Sequence, residues 1–184
     1  MSLSAENPLV IEPYEASHLE ELAAFRFRAW CDAGIDPRCF PEQQWSDPHD
    51  HLRLHWVVRD RGEIVAAASL GIHERLCEVD EAEVYIAAGI DTPGSSAQQG
   101  SKGPVGAPAR VAVLSAYRRH GFASLLLDQQ DLAMRDAGVH FAVRQSSPSM
   151  QRLLLPRGWI DHGPAPADPR FPEVDFHIMS WDLL

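Results

Sequence analysis

One run of fourteen residues, Val111-Ala-Val-Leu-Ser-Ala-Tyr-Arg-Arg-His-Gly-Phe-Ala-Ser124, limits the possible folds more than the rest of the chain. It reads as the end of a buried strand, a tight turn containing Gly121, and the start of a helix that continues through Leu125, Leu126 and Leu127. The first N–H groups of a helix have no acceptor within it and point together out of its start. With the positive end of the helix dipole they form a site for a phosphate or a diphosphate. Gly121 lets the backbone approach an anion closely, and Ala123 is small for the same reason. Arg118 and Arg119 add positive charge, and His120 offers its N–H and, when protonated, a further charged group.

The chain has 184 residues, which suits one domain spanning 1–184 with a core of its own. A net charge of −10 excludes a nucleic acid or an anionic membrane as the expected partner, since no basic stripe is available to displace counterions. The acidic balance suits a cationic ligand such as an amine. The longest apolar stretch, Ile64 to Ile72, is broken by Ser69 and Gly71 and is too short to span a bilayer. The start of the sequence carries Glu6 and no signal-like apolar run. Cys31, Cys39 and Cys77 have no metal-type spacing, so reduced thiols and a cytoplasmic location are expected.

Leu9–Ile11 reads as a first strand. A Ser17/Glu20 capping box then opens a helix from His18 to Asp32, stopped at Gly34. Leu19, Leu22, Ala23, Phe25 and Ala29 form its apolar face. The connection from Asp36 to Asp50 has room for a short helix at Glu42–Trp45. His55–Arg59 and Ile64–Ser69 flank the polar turn Asp60–Glu63 as a hairpin. Val84–Ile90 reads as extended and Asp91–Gly106 as a mobile loop. The signature strand Ala109–Leu114 leads to a helix at Phe122–Ala137 that Gly138 stops. A strand at His140–Gln145 follows, then a helix from Ser147-Pro148 to Leu155. Trp159–Asp161 and Phe176–Trp181 form a last antiparallel pair, and Pro164, Pro166, Pro169 and Pro172 keep the chain between them irregular.

His49, Asp50, His51 and His55 crowd together, and His51 with His55 would share one face of a helix as zinc ligands do. Leu52, Leu54 and Trp56, however, alternate with polar residues as in a strand, which sends neighbours to opposite faces. No metal is expected.

The spacing Arg118-x-x-Gly121-x-Ala123 after Val111-Ala-Val resembles the acyl-CoA signature of the GCN5-related N-acetyltransferases (GNAT), Arg/Gln-x-x-Gly-x-Gly/Ala. Gly158-Trp159 stands where such enzymes carry a Gly-Phe pair after their last helix. The resemblance runs from about Pro8 to Trp181 and is sharpest between Arg110 and Ala123. It implies an α+β fold with a mixed, mostly antiparallel central sheet and helices on both faces. That sheet splays where the signature strand parts from a parallel neighbour, His140–Gln145. The resemblance also implies acetyl-CoA as co-substrate, with pantetheine beside Val111, Ala112 and Val113 and the diphosphate on the N–H groups of Arg119, His120, Gly121, Phe122, Ala123 and Ser124.

Acyl transfer from a thioester to an amine needs a neutral amine, a polarised carbonyl and a leaving thiolate. Many relatives place a Glu shortly before the Val-Ala-Val, where this chain has Ala107, Pro108 and Ala109. A Tyr that often serves as acid corresponds to Leu154, and an Asn that opens the same helix corresponds to Ser147. Glu83, acting through a water, is the candidate base. His73 is a second, and Ser147 a candidate donor to the sulfur. The expected activity is N-acetyl transfer to a primary amine of a small molecule or peptide by direct attack in a ternary complex. The alternative is an inactive GNAT-like module that binds coenzyme A for regulation. A homodimer fits strands with exposed edges.

Overall fold

A computed structural model of the chain describes residues 11–14, 18–90, 103–169 and 171–183. Among the described residues seven strands form a mixed sheet in the order β1-β2-β3-β4-β5-β7-β6, with four α-helices, so the fold class is α+β as expected. Its contacts fall into two compact units, Met1–Ser69 with Arg110–Gln130, and Leu70–Ala109 with Asp131–Leu184.

The first unit begins with β1 (Ile11–Pro13), antiparallel to β2 (Leu54–Asp60). Of the expected first strand Leu9–Ile11, Ile11 belongs to β1, while Leu9 and Val10 lie outside the described residues. Helix α1 (Leu19–Asp32) follows, with His18 at its N-cap and no side-chain cap there. The expected capping residue Ser17 lies outside the described residues. Leu22, Phe25 and Ala29 bury the predicted face of α1 against Val57, Ile64 and Ala67, and Arg26 joins that buried face. The predicted helix at Glu42–Trp45 is not formed. Single helical turns stand instead at Pro37–Cys39, where Asp36 accepts from the N–H of Arg38, and at Asp50–Leu52. Strand β2 turns into β3 (Glu63–His73) through Arg61 (φ 50°) and Gly62 (φ 86°), two left-handed residues as a two-residue hairpin requires.

The second unit takes the far end of β3, a single turn at Leu76–Glu78 and helix α2 (Ala82–Ala87). Here the expectation of an extended Val84–Ile90 is overturned. Glu81 adopts φ 57° and starts a helix that buries Ala82 and Tyr85, spaced three apart. The expected loop Asp91–Gly106 lies mostly outside the described residues, but Val105 and Gly106 already belong to β4 (Val105–Val113). Val105 and Ala107 pack with Leu76, Val79 and Tyr85. The residue between them, Gly106, faces helix α3 (Phe122–Asp136), where a Cβ would come 2.5 Å from Met134 Sδ. Alternation along the strand therefore sets α2 and α3 on opposite faces of β4.

Strand β4 pairs in parallel with β5 (Phe141–Ser146) at Val105–Phe141 and Gly106–Ala142, the neighbour expected from the sequence. Pro108 offers no N–H, and Arg110 turns left-handed (φ 57°), within a strand that runs on to Val113. Strand β5 also runs antiparallel to β7 (His177–Asp182) over six residue pairs. Helix α4 (Pro148–Leu154) follows Ser147, which makes no capping hydrogen bond. Strand β6 (Ile160–Pro164) closes the order. It includes Pro164, which had been expected to lie outside regular structure but is tolerated as the last residue of an outer strand. The cysteines are unbridged. Cys77 is exposed, and Cys31 and Cys39 are partly covered.

Candidate coenzyme turn and the charge cluster beneath it

The predicted site residues from Val111 to Ser124 come together in the first unit as the end of β4, a connection and the start of α3. A single turn at Ser115–Tyr117 follows the strand; Arg119 (φ 66°) and Gly121 (φ 86°) are then left-handed. The first bond of α3 runs from Leu125 N–H to Gly121 O at 3.0 Å, which makes Gly121 the residue that enters the helix. The N–H groups of Phe122 and Ala123 precede any intrahelical acceptor. A Cβ built on Gly121 would meet nothing within 4 Å, so the space above the turn is open. Left-handed residues interleaved this way turn successive N–H groups toward one concavity, which suits an anion.

The connection is fastened at several points. Leu114 N–H donates to Val65 O at 3.0 Å. Asp32, at the end of α1, accepts from both the N–H and the hydroxyl of Ser115. These bonds, with the Ser115 N–H foremost, hold the Asp32 carboxyl below its ordinary pKa despite partial burial. Tyr117 donates to Asp60 at 2.6 Å, which ties the turn to the β2–β3 hairpin. Arg118, expected to add positive charge beside the turn, donates from Nε to Val113 O at 3.0 Å, and its Nη2 lies 3.9 Å from Asp32. It therefore braces the strand end. His120 Nδ1 donates to Arg118 O at 2.9 Å, which fixes the proton on that nitrogen.

Below β4 lies a network that the sequence did not announce. Arg110 reaches Asp50 at 2.7 Å and also Asp47, with its guanidinium 5.9 Å from the Trp45 ring centroid. Arg26 binds the other oxygen of Asp50 at 2.6 Å and lies 3.4 Å from His55 Nδ1. The Nε2–H of His55 donates to Asp50 O at 2.7 Å. Burial alone would raise Asp47 and Asp50, yet Arg110, the His49 N–H and Arg53 hold the Asp47 carboxyl below its ordinary range, and Arg26 with Arg110 does the same for Asp50. Burial pushes His55 down, which keeps it neutral. The histidine crowding that suggested a metal cage is in this part an ion-pair network; His55 and Asp50 serve arginines.

Of the other candidates, Glu83 occupies the exposed first turn of α2 and does not lead into a strand. His73 ends β3. Ser147 Oγ lies 3.0 Å from Ser149 Oγ, and Leu154, at the position where relatives carry Tyr, is fully buried. Gly158 is left-handed (φ 91°), and Trp159 after it is buried 5.7 Å from the Trp181 ring. Asp32, Asp60 and the Arg26–Asp50–Arg110 network were not found by sequence reasoning. The one available signal was the acidic residues of the 36–50 connection, which carry no periodicity.

The profile of the Acetyltransferase (GNAT) family matches residues 16–158. No curated protein matches the sequence. Among solved structures, a GCN5-related N-acetyltransferase from Ralstonia eutropha JMP134 is similar, with TM-score 0.61, 20% identity, and coverage of 83% of this chain and 93% of that one. The NatC complex bound to Gag peptide and CoA contains a chain with TM-score 0.61 and 15% identity, covering 97% of this chain and all of that one. BjaI, a CoA-dependent acyl-homoserine lactone synthase solved with SAM and isopentyl-CoA, aligns with TM-score 0.67 and 13% identity, covering 96% and 84%. At these identities the neighbours speak for the fold, and the profile for the family. The chain belongs to the GNAT acetyltransferases, a family of acyltransferases that draw on coenzyme A.

Proposed function

We propose that this protein transfers an acetyl group from acetyl-CoA to a primary amine by direct attack within a ternary complex. The observation that carries the reading is the open, left-handed turn at Gly121, with main-chain N–H groups at the start of α3. In this reading those groups, from Arg119 to Ser124, hold the diphosphate. The strand end Val111–Val113 supplies N–H donors to pantetheine and to the thioester carbonyl. Arg118 contributes by holding that strand end to the turn.

The nitrogen attacks the carbonyl carbon, the C–S bond breaks, and coenzyme A leaves as thiolate. The proton lost by nitrogen goes to Glu83 through a water in one version and to bulk water in another. A Glu83→Gln variant that keeps its rate would remove the first version. An amine is also favoured as acceptor by the net charge of −10.

Calorimetric titration with acetyl-CoA tests the turn. The wild type should bind, and Gly121→Glu should lose at least about tenfold in affinity, since it sets a carboxylate in the anion's place. Equal binding would remove the assignment. Ala107, Pro108 and Ala109 where many relatives carry a Glu, and Leu154 where many carry a Tyr, favour a second reading, a coenzyme A-binding regulatory module. Tight binding with no amine-dependent thiol release would select it.

A further inference from the structure

The second unit holds a buried arginine with no carboxylate bonded to it among the described residues. Arg144 stands in the middle of β5 and is 5% exposed. Its Nε and Nη1 have no hydrogen-bond partner among the described residues, and no carboxylate pairs with it there. Its guanidinium lies 5.7 Å from the centroid of the Trp159 ring. Trp159 Nε1, in a residue 3% exposed, is likewise buried and unpartnered. So is the hydroxyl of Ser146, which points to the same face of β5 as Arg144 two residues away. Tyr85 and, more weakly, Asp131 favour the Arg144 charge through space without bonding to it, and Asp131 is itself bound to Arg157 at 3.0 Å. Burial lowers the Arg144 pKa to about 10, which still leaves it charged at neutral pH.

Three side chains that can each donate are therefore buried near one another, with no acceptor for these bonds among the described residues. Left so, they would cost the fold considerably, most of all the unpaired charge. Water could accept the hydrogen bonds but would leave the positive charge unbalanced. A ligand with one negative charge and several lone pairs answers both needs. A diphosphate would exceed the single arginine and leave net negative charge buried.

We infer that Arg144, Ser146 and Trp159 form a site for a monoanionic carboxylate carried by one of the two substrates. This rests on, and deepens, the acyl-transfer reading. The carboxylate has two possible sources: the amine acceptor, as in an amino acid, or the far end of a dicarboxylic acyl group on coenzyme A.

The test combines binding and turnover for the wild type, Arg144→Gln, Arg144→Lys, Ser146→Ala and Trp159→Phe. The last two remove one donor each and spare the fold if Arg144 variants fail to fold. In the first measurement, acetate is compared with chloride at equal ionic strength as a stabiliser against heat. Acetate should raise the wild-type midpoint above chloride. The gain should shrink in Ser146→Ala and Trp159→Phe, vanish in Arg144→Gln and partly survive in Arg144→Lys.

In the second, thiol release from acetyl-CoA is compared for L-phenylalanine against phenethylamine and for L-lysine against cadaverine. Succinyl-CoA is then compared with acetyl-CoA, using the amines that lack a carboxylate. At least about tenfold preference for the carboxylate-bearing partner in one arm, lost in the variants, supports the site and names its source. The site is overturned if acetate acts no better than chloride, or equally well on the wild type and all four variants. A midpoint gain with no preference in either arm overturns the assignment to a substrate. If no amine releases thiol at all, the transfer reading has failed, while the midpoint series still decides the carboxylate site.

Discussion

Arg110 shows how a single residue can carry strain and its remedy together. A non-glycine residue at φ 57° inside a strand costs about 1 kcal/mol or more through its Cβ. The same side chain anchors the kink by reaching Asp47 and Asp50 and lying over Trp45. Arg110→Ala and Arg110→Gly both lose the ion pairs, but only glycine relieves the backbone. Denaturant titration should therefore find Arg110→Gly more stable than Arg110→Ala by about 1 kcal/mol. Both should fall below the wild type, because Asp47 and Asp50 lose a buried partner. If alanine equals glycine, the left-handed geometry is not what the arginine holds.

At the scale of elements, the hairpin between β2 and β3 gives a clean case. Gly62 has open space where a Cβ would go, so Gly62→Ala tests backbone conformation without a clash. It should cost about 1 kcal/mol and lower the thermal midpoint by about 2–4 °C. An unchanged midpoint would mean that the turn relaxes freely. The hairpin, α1, α3 and β5 were legible in the sequence because each repeats an apolar period over several turns or pairs and ends at a glycine or polar turn. Helix α2 was not. In six residues, Ala82 and Tyr85 give one helical repeat, and Val84-Tyr85-Ile86 reads equally well as extended. The turn before α3 was legible because Gly121 and the helix start betray it. The residues that hold it, Asp32 and Asp60, and Arg110 with its aspartates were hidden, since each works across a separation in sequence of tens of residues. No local pattern records such a contact.

For the molecule as a whole, acid sensitivity should follow the buried network. An ordinary histidine protonates near pH 6.5, but burial holds His55 neutral to lower pH in the folded chain. The unfolded chain therefore takes up this proton first, and the stability His55 contributes above about pH 6.5 is lost as pH falls through its depressed pKa. Asp47 and Asp50 act in the same direction further down, below about pH 4, because their folded carboxyls resist protonation. Urea midpoints should drop between pH 7.5 and 5.5 in the wild type. His55→Gln, whose amide can still donate to Asp50 O, should show a smaller drop. An equal drop would place the sensitivity elsewhere. Among the described residues no helix is long and apolar enough to cross a membrane.

The three unbridged cysteines differ in how readily they would be labelled. Cys77 sits in the open, whereas burial first, with Asp36 and Cys39 nearby, raises the Cys31 thiol and slows its ionisation. A maleimide dye at neutral pH should react with the first sulfur well before Cys31. That attaches an optical reporter beside α2 without engineering the chain.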